Sequence, residues 1–333
     1  MRQDPAPCRT AGRRMSEAVC LILSSFAVAV LAPRPLARLT RGIAPQFELV
    51  AWLSAIGSVI VSWTVVPVIV VAYVIIDVAE PGRPVLDSCY TQLHDAATGH
   101  YGLLVQGGFV ALTGFAMCAG VVLLVRVGRW FLLARSTTHE HARMVRMAGR
   151  HDAGLDAIVL EVAQPAAYSV AGKPHTVVVT RGAIAALDQY QLRAVLEHER
   201  AHLAGRHHLW LALTRGLAAN LSRIELFTLG ATEVARLLEM CADDAAARVH
   251  GRPAVLRALL TLSGIPEAAS AVLGMNGVDL PARVERLIPS VEPRPGVRAH
   301  LVLGAVVALV IIGPLASATL AAIGIALSAP LLG

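Results

Sequence analysis

The sequence predicts a mainly α-helical membrane protein in which an α+β domain is inserted between the third and fourth of four spanning helices. The 333 residues are 56% hydrophobic and 16% charged. Four stretches contain no Asp, Glu, Lys or Arg: residues 18–33, 49–76, 102–125 and 301–333. The rest of the chain carries charges at the density of an ordinary globular domain. This partition excludes a purely cytosolic enzyme, a secreted disulfide scaffold and a disordered protein.

The lengths of the uncharged stretches predict where the chain crosses the membrane. A helix needs about 20 apolar residues to cross a hydrocarbon core of about 30 Å. We expect an N-terminal tail at 1–17, spanning helices at about 18–33, 49–77 and 102–125, and a fourth helix with its tail within 300–333. The first stretch is short for a span, and the alternatives are an uncleaved signal anchor and an interfacial segment.

The arginines of the short connections predict the orientation. The connection after the first stretch carries Arg34, Arg38 and Arg41, whereas Arg83 is the one basic residue of the next connection. Positive charges favour the cytoplasmic side, so residues 126–299 are expected in the cytoplasm of a bacterium, below the plasma membrane. The arginines ahead of the first stretch would then lie outside, unless Met15 is the true start.

The charge and cysteine content exclude two further classes of protein. The net charge is +6, and the basic residues are scattered along the chain, so no direct nucleic-acid binding is expected. The five cysteines show no paired spacing and predict no disulfide framework.

The cytoplasmic segment begins with a helix and a small sheet. Residues 130–149 read as a charged, amphipathic continuation of the third membrane helix. Short apolar and β-branched runs at 158–162, 167–170 and 176–180 predict a small antiparallel sheet.

Three helices follow the sheet. Asp188 and Gln191 form a capping-box pattern for the first helix, which is expected to end at Gly205. The second is expected to end at Gly230, and Thr232 is expected to cap the third.

The first of these helices carries the pattern HExxH from His198 to His202. Residues four apart lie about 40° apart around a helix, so both imidazoles project from one face and can share one metal ion. Imidazole nitrogens suit tetrahedral Zn²⁺, and Glu199 is placed to accept a proton from water rather than to bind the ion.

Glu239, on the third helix, is the candidate for a third ligand. Asp243 lies one turn further along the same face, where it could accept the N–H of a ligand histidine and fix its tautomer. The alternative is a solvated charged face shared with Arg236 and Arg248.

Four runs in order resemble the BlaR/MecR-type membrane zinc metallopeptidases, a gluzincin family. They are residues 166–172, 177–182, 192–208 with HExxH, and 239–243 with ExxAD. The resemblance implies a zincin-like cytoplasmic peptidase domain that holds one Zn²⁺ per chain. It also implies signal transduction by cleavage of a BlaI-type transcriptional repressor.

The resemblance assigns roles to five residues. It implies that His198, His202 and Glu239 are the zinc ligands, that Glu199 is the catalytic base, and that Asp243 orients a ligand. The β-lactam-sensing members add a C-terminal penicillin-binding sensor domain with the pattern S-x-x-K. This sequence stops at Gly333, so that domain and direct β-lactam sensing are not expected.

Further contacts are expected from the sheet and from other histidines. The run 167–170 is the candidate edge strand for a protein substrate, with Ala167 and Ser169 as contacts. His250 is a candidate for a substrate or oxyanion contact, whereas His207 and His208 read as solvent-facing residues at a helix start. The expected partners are a protein substrate and the lipid bilayer, and a homodimer is left open.

Two other functions remain open at this point. One is a membrane quality-control or processing protease of the HtpX or CAAX type, which would share HExxH. The other is a catalytically silent membrane scaffold in which the metal only stiffens the fold.

Overall fold

The computed structural model describes residues 25–39, 44–79, 103–264, 280–288 and 304. Within these residues the protein is mainly helical and contains one small sheet. In chain order the elements are α1 (Pro33–Leu39), α2 (Pro45–Ala79), α3 (Leu103–Ala148), β1 (Arg150–Asp152), β2 (Ala157–Leu160), β3 (Ala167–Val170), β4 (Thr176–Thr180), α4 (Arg181–Ala186), α5 (Gln189–Ala204), α6 (His207–Asn220), α7 (Glu225–His250), α8 (Arg252–Leu262) and α9 (Leu280–Leu287).

Two of the described helices are long and apolar enough to cross a membrane. They are α2, over Pro45–Thr64, and α3, over Met117–Ala148. Helix α3 continues without a break past residue 130 to the first strand, as the amphipathic pattern predicts. Of the first expected span, residues 25–31 are helical and the segment before them lies outside the described residues. The expected tail at 1–17 and, apart from residue 304, the expected fourth helix also lie outside them.

The sheet is mixed, so the expectation of an antiparallel sheet was wrong. The strand order is β1-β2-β4-β3, and β4 pairs with β2 in parallel and with β3 antiparallel. Strand β4 carries three successive buried valines, the continuous apolar run that is typical of a strand covered on both faces. This arrangement leaves β3 at one edge of the sheet.

Helix α5 begins and ends where its sequence predicts. The Asp188 carboxylate accepts from the backbone N–H of Tyr190 and Gln191, and the Gln191 side chain accepts from the N–H of Asp188. Gly205 is the C-terminal cap. Both ends of this helix are therefore defined, and with them the position of the HExxH residues within it.

Helix α7 runs through Gly230 and Thr232, so the helix end expected there was wrong. Gly230 marks a close approach between helices instead, because a Cβ at that position would lie 2.9 Å from the Ile56 side chain and 3.3 Å from Trp52. The two helices are instead separated earlier in the chain, between the end of α6 at Asn220 and the start of α7 at Glu225.

The largest hydrophobic cluster joins α2 to α7. Trp52 and Val59 from α2 pack with Phe227 and Val234 from α7, and each of these four side chains is 1% exposed or less. A second cluster packs α5 against the inner strands of the sheet. Helix α7 also packs against α5, so it contacts α2, one of the candidate membrane helices, at one end and α5 at the other.

Candidate metal centre

Three side chains from α5 and α7 meet at one point. The Nε2 atoms of His198 and His202 lie 3.1 Å apart. The carboxylate oxygens of Glu239 lie 3.5 Å from Nε2 of His198 and 3.4 Å from Nε2 of His202. Ligands bound tetrahedrally at about 2.0–2.1 Å from one ion are separated by about 3.3 Å. These three donors could therefore hold a zinc-sized ion without rearrangement.

Asp243 orients the first histidine. Its Oδ1 lies 3.0 Å from Nδ1 of His198, and its side chain is only 5% exposed. A hydrogen bond from Nδ1–H leaves the lone pair of Nε2 directed at the shared point, which is the tautomer that a metal ligand requires. The alternative of a solvated face is thus wrong for Asp243, and Arg236 pairs elsewhere, with Glu48 and Glu233.

His207 orients the second histidine, a role that sequence reasoning missed. Its Nδ1 lies 2.8 Å from Nδ1 of His202, and the residue is buried rather than facing solvent. Arg206 adopts the left-handed conformation, with φ of 50°, which turns the start of α6 back towards α5. Gly205 makes room for this turn, because a Cβ there would collide with the imidazole of His207. The feature of the sequence that could have indicated this role is Gly205, which directly precedes the segment with His207 and His208.

Arg283 connects the two carboxylates and was also missed. Its guanidinium donates to both oxygens of Asp243, at 2.7 and 2.8 Å, and lies 3.1 Å from Glu239. A single arginine on the short helix α9 gives no signal in the sequence, since most such residues are solvated. The bidentate contact fixes Asp243 and supports the position of Glu239.

The charges around the histidines favour a cation. Burial alone lowers the pKa of His198, but hydrogen bonds to Asp243 and Glu239 outweigh it and raise the pKa to about 9. Burial lowers the pKa of His202 to about 4, and the attraction of Glu239 only partly opposes this shift. The carboxylates of Glu239 and Asp243 thus favour a positive charge at this point, and a metal ion would supply that charge in place of the proton on Nε2 of His198.

Glu199 lies beside the donors without joining them. Burial raises the pKa of its carboxyl group, and the charge of His198 and the nearby polar groups of Ser169 on β3 only partly oppose this shift. A buried carboxylate with a raised pKa is suited to exchange protons near neutral pH. The residue therefore has the surroundings of a general base.

The site opens into a cleft of about 590 Å³ that is bounded by α5, β3 and α3. Ser169 and Tyr168 form one wall, and Thr137, Thr138 and His141 of the long helix form another. The cleft thus lies between the edge of the sheet and α3, one of the two candidate membrane helices.

The edge strand presents its free backbone groups in a regular pattern. The N–H of Thr180 donates to the carbonyl of Ala166, and the register continues from there through Tyr168. In an antiparallel pair the intervening residues, Ala167 and Ser169, direct their backbone groups away from β4. The Ala167 side chain packs against the core, so a substrate contact at this residue, which stays a prediction, would involve its backbone.

His250 is not brought to the site. It is the last residue of α7, about 16 Å along the helix axis from Glu239, and it is not among the described residues that line the cleft. The contact expected from His250 is therefore absent, because three further turns of helix separate it from the carboxylate ligand candidate.

The comparison with known families agrees with this geometry. Residues 133–292, a little under half of the chain, match the model of Peptidase family M48. No curated protein and no solved structure shows a significant match. The match indicates a metallopeptidase and, at the level of the family, zinc; it does not distinguish the BlaR/MecR type. The part of the chain that matches Peptidase family M48 is thus the part that brings two histidines and a glutamate to one point, as a metallopeptidase requires.

Proposed function

We propose that this protein is a zinc-dependent endopeptidase of the bacterial plasma membrane that cleaves a cytoplasmic transcriptional repressor of the BlaI type. The proposal includes four spanning helices, with the peptidase domain inserted between the third and fourth and facing the cytoplasm. The observation that carries the enzymatic part is the triangle of His198, His202 and Glu239, which opens into the cleft that also holds Glu199.

The chain supplies the acid–base chemistry through Glu199. A zinc ion bound by the three donors would lower the pKa of water from 15.7 to about 7 and polarise the scissile carbonyl. Glu199 accepts the proton of the attacking water and delivers it to the leaving amine. Asp243 and His207 hold the two imidazoles in the orientation that the ligands need.

The substrate binds as an extended segment beside β3. The backbone groups of Ala167 and the carbonyl of Ser169 are oriented to pair with such a segment, which gives affinity independent of the substrate sequence. Tyr168 from the same strand and His141 from α3, whose rings lie 5.7 Å apart, narrow the cleft at this position. An extended substrate is typical of peptide recognition at a sheet edge.

Two observations support the cellular part of the proposal. The arginines of the first connection and those that follow the third apolar stretch favour a cytoplasmic domain. The order of the four sequence runs supports the BlaR/MecR type, and with it a repressor as substrate.

The test separates metal binding from catalysis. His202→Ala should lose zinc by elemental analysis, whereas Glu199→Gln should retain zinc and cleave a denatured protein substrate about 10²–10⁴ times more slowly. Unchanged cleavage by Glu199→Gln would exclude the base assignment and favour the silent scaffold.

A second experiment identifies the substrate. Proteomes of cells that carry the wild type or Glu199→Gln should differ in one cytoplasmic DNA-binding protein, which persists only in the mutant. Accumulation of misfolded or prenylated membrane proteins instead would replace this proposal by the HtpX or CAAX type.

A further inference from the structure

A second cavity lies away from the metal centre, between α3 and the C-terminal end of α6. It is a groove of about 490 Å³, within the size range of small-ligand sites. Its walls combine apolar and basic side chains with one amide, among them Val122, Val125, Arg126, Arg129, Trp130 and Asn220.

The apolar part of the groove belongs to the lipid-facing stretch of α3. Val122 and Val125 are 51% and 52% exposed, and they lie at the end of the uncharged stretch that precedes Arg126. None of the apolar window of this helix is buried inside the protein. The groove therefore lies where the acyl region of a bilayer gives way to its headgroups.

The basic part of the groove begins at Arg126, the residue after Val125. Arg126 and Arg129 are exposed and lie one turn apart on the same face of α3. Among the described residues, neither arginine has an acidic partner, and no acidic side chain lines the groove. The two positive charges are therefore available to an anion at this depth.

Trp130 gives the groove a fixed edge. It packs against Gly216 of α6, where a Cβ would lie 2.9 Å from the indole ring. Asn220, at the end of α6, donates to the carbonyl of Gly216 at 2.8 Å. Tryptophan at the headgroup level is typical of membrane interfaces, and here it ties the peptidase domain to α3 at that level.

We propose that the groove binds an acidic phospholipid, with the phosphate at Arg126 and Arg129 and the acyl chains along Val122 and Val125. Basic pockets between helices on the cytoplasmic side bind acidic headgroups in this way. This proposal does not depend on the peptidase activity.

The charges distinguish a lipid from other occupants. The stretch 301–333 is uncharged, so a helix formed by it would bury both arginines without a partner, which is costly. A second copy of the chain in a two-fold contact would place the same positive charges opposite each other. An acidic lipid satisfies the apolar and the basic walls together.

The experiment measures lipid retention by the full chain. Protein stripped of lipid in detergent is titrated with dioleoylphosphatidylglycerol or dioleoylphosphatidylcholine, and bound lipid is counted by native mass spectrometry. The wild type should hold the anionic lipid preferentially. The double substitution Arg126→Gln/Arg129→Gln should weaken that binding about thirtyfold, from about fivefold per arginine near a charged surface.

Arg135→Gln is the matched control, because this exposed arginine lies on the same helix but outside the groove. It should bind phosphatidylglycerol as the wild type does, and inorganic phosphate should not displace the lipid. Equal retention of both lipids by the wild type, equal retention by the wild type and the double variant, or an equal loss in Arg135→Gln would each overturn the proposal. Circular dichroism confirms that the double variant is folded, and phosphatidylcholine binding by this variant should be unchanged.

Discussion

The two halves of α7 are held by different forces. The N-terminal half packs Phe227 and Val234 against Trp52 of α2 in a mainly apolar contact, to which the ion pair of Arg236 with Glu48 is added. The C-terminal half presents Glu239 and Asp243 to the histidines of α5, where Asp243 lies 3.0 Å from His198 and is paired at 2.7 Å with Arg283. A single helix of 26 residues thus joins a candidate membrane helix to the metal centre. The apolar half should set the stability of the fold, whereas the polar half should set both stability and metal binding.

The largest effect is expected from Arg283→Met in the polar half. The substitution leaves Asp243 buried without its bidentate partner, and breaking a buried pair in this way costs about 3–5 kcal/mol. Both the Tm in detergent and the zinc content should fall. The control is Arg286→Met, because its pair with Asp244 is 30% exposed and should contribute less. If the two variants have the same Tm, the buried contacts of Arg283 are not what stabilises this half of α7.

Trp52→Ala tests the apolar half. The side chain is fully buried against α7, and removal of a buried tryptophan costs about 3–5 kcal/mol in free energy of unfolding. Zinc affinity of the folded fraction should stay unchanged, because no polar contact of the metal centre involves Trp52. Denaturant unfolding and zinc competition measure the two quantities. A parallel loss of zinc affinity would show that the two halves of α7 are coupled.

His207→Ala should separate metal binding from stability. Loss of a side chain that orients a ligand lowers metal affinity by about 10–100-fold. Gly205→Ala should act in the same direction, because its Cβ would displace the His207 ring. Competition with a zinc-binding dye gives the affinity. His208→Ala is the control, since it has no described contact with His202, and an equal loss in this variant would contradict the orienting role.

The smallest effect is expected at the surface. Arg181 pairs with Glu161 at 3.2 Å, and both side chains are 62% exposed. Such pairs contribute about 0–1 kcal/mol, so Arg181→Ala should leave the Tm and the zinc affinity close to those of the wild type. A shift as large as that of Arg283→Met would mean that exposure does not separate the strong pairs from the weak ones in this protein.

The sequence predicts the parts of the site that depend on local geometry. The spacing of His198 and His202 predicts one face of one helix, and the same rule places Asp243 one turn beyond Glu239. The capping box at Asp188 is confirmed because every atom in it lies within four residues. Helical periodicity therefore relates His198 to His202 and Glu239 to Asp243, whereas the pairing of α5 with α7 is what the resemblance implies.

The remaining residues depend on packing that no short pattern encodes. His207 reaches the site through a left-handed turn at Arg206, and Arg283 arrives from a helix 40 residues after Asp243. Gly230 reads as a helix end but permits close approach to Trp52. Strand β4 pairs in parallel with β2 because the chain inserts it between β2 and β3. The β propensity of each run does not determine this strand order.

The continuity of α3 limits how far the proposed cleavage site can lie from the bilayer. From the last residue of the uncharged stretch, Val125, to His141 at the cleft, the unbroken helix rises at most about 24 Å. An extended chain covers about 3.3 Å per residue, so a substrate anchored in the same membrane would need no more than roughly seven residues of tether to reach the cleft. The length of this helical segment therefore sets an upper limit on the distance between the bilayer and a bond that the proposed peptidase cleaves.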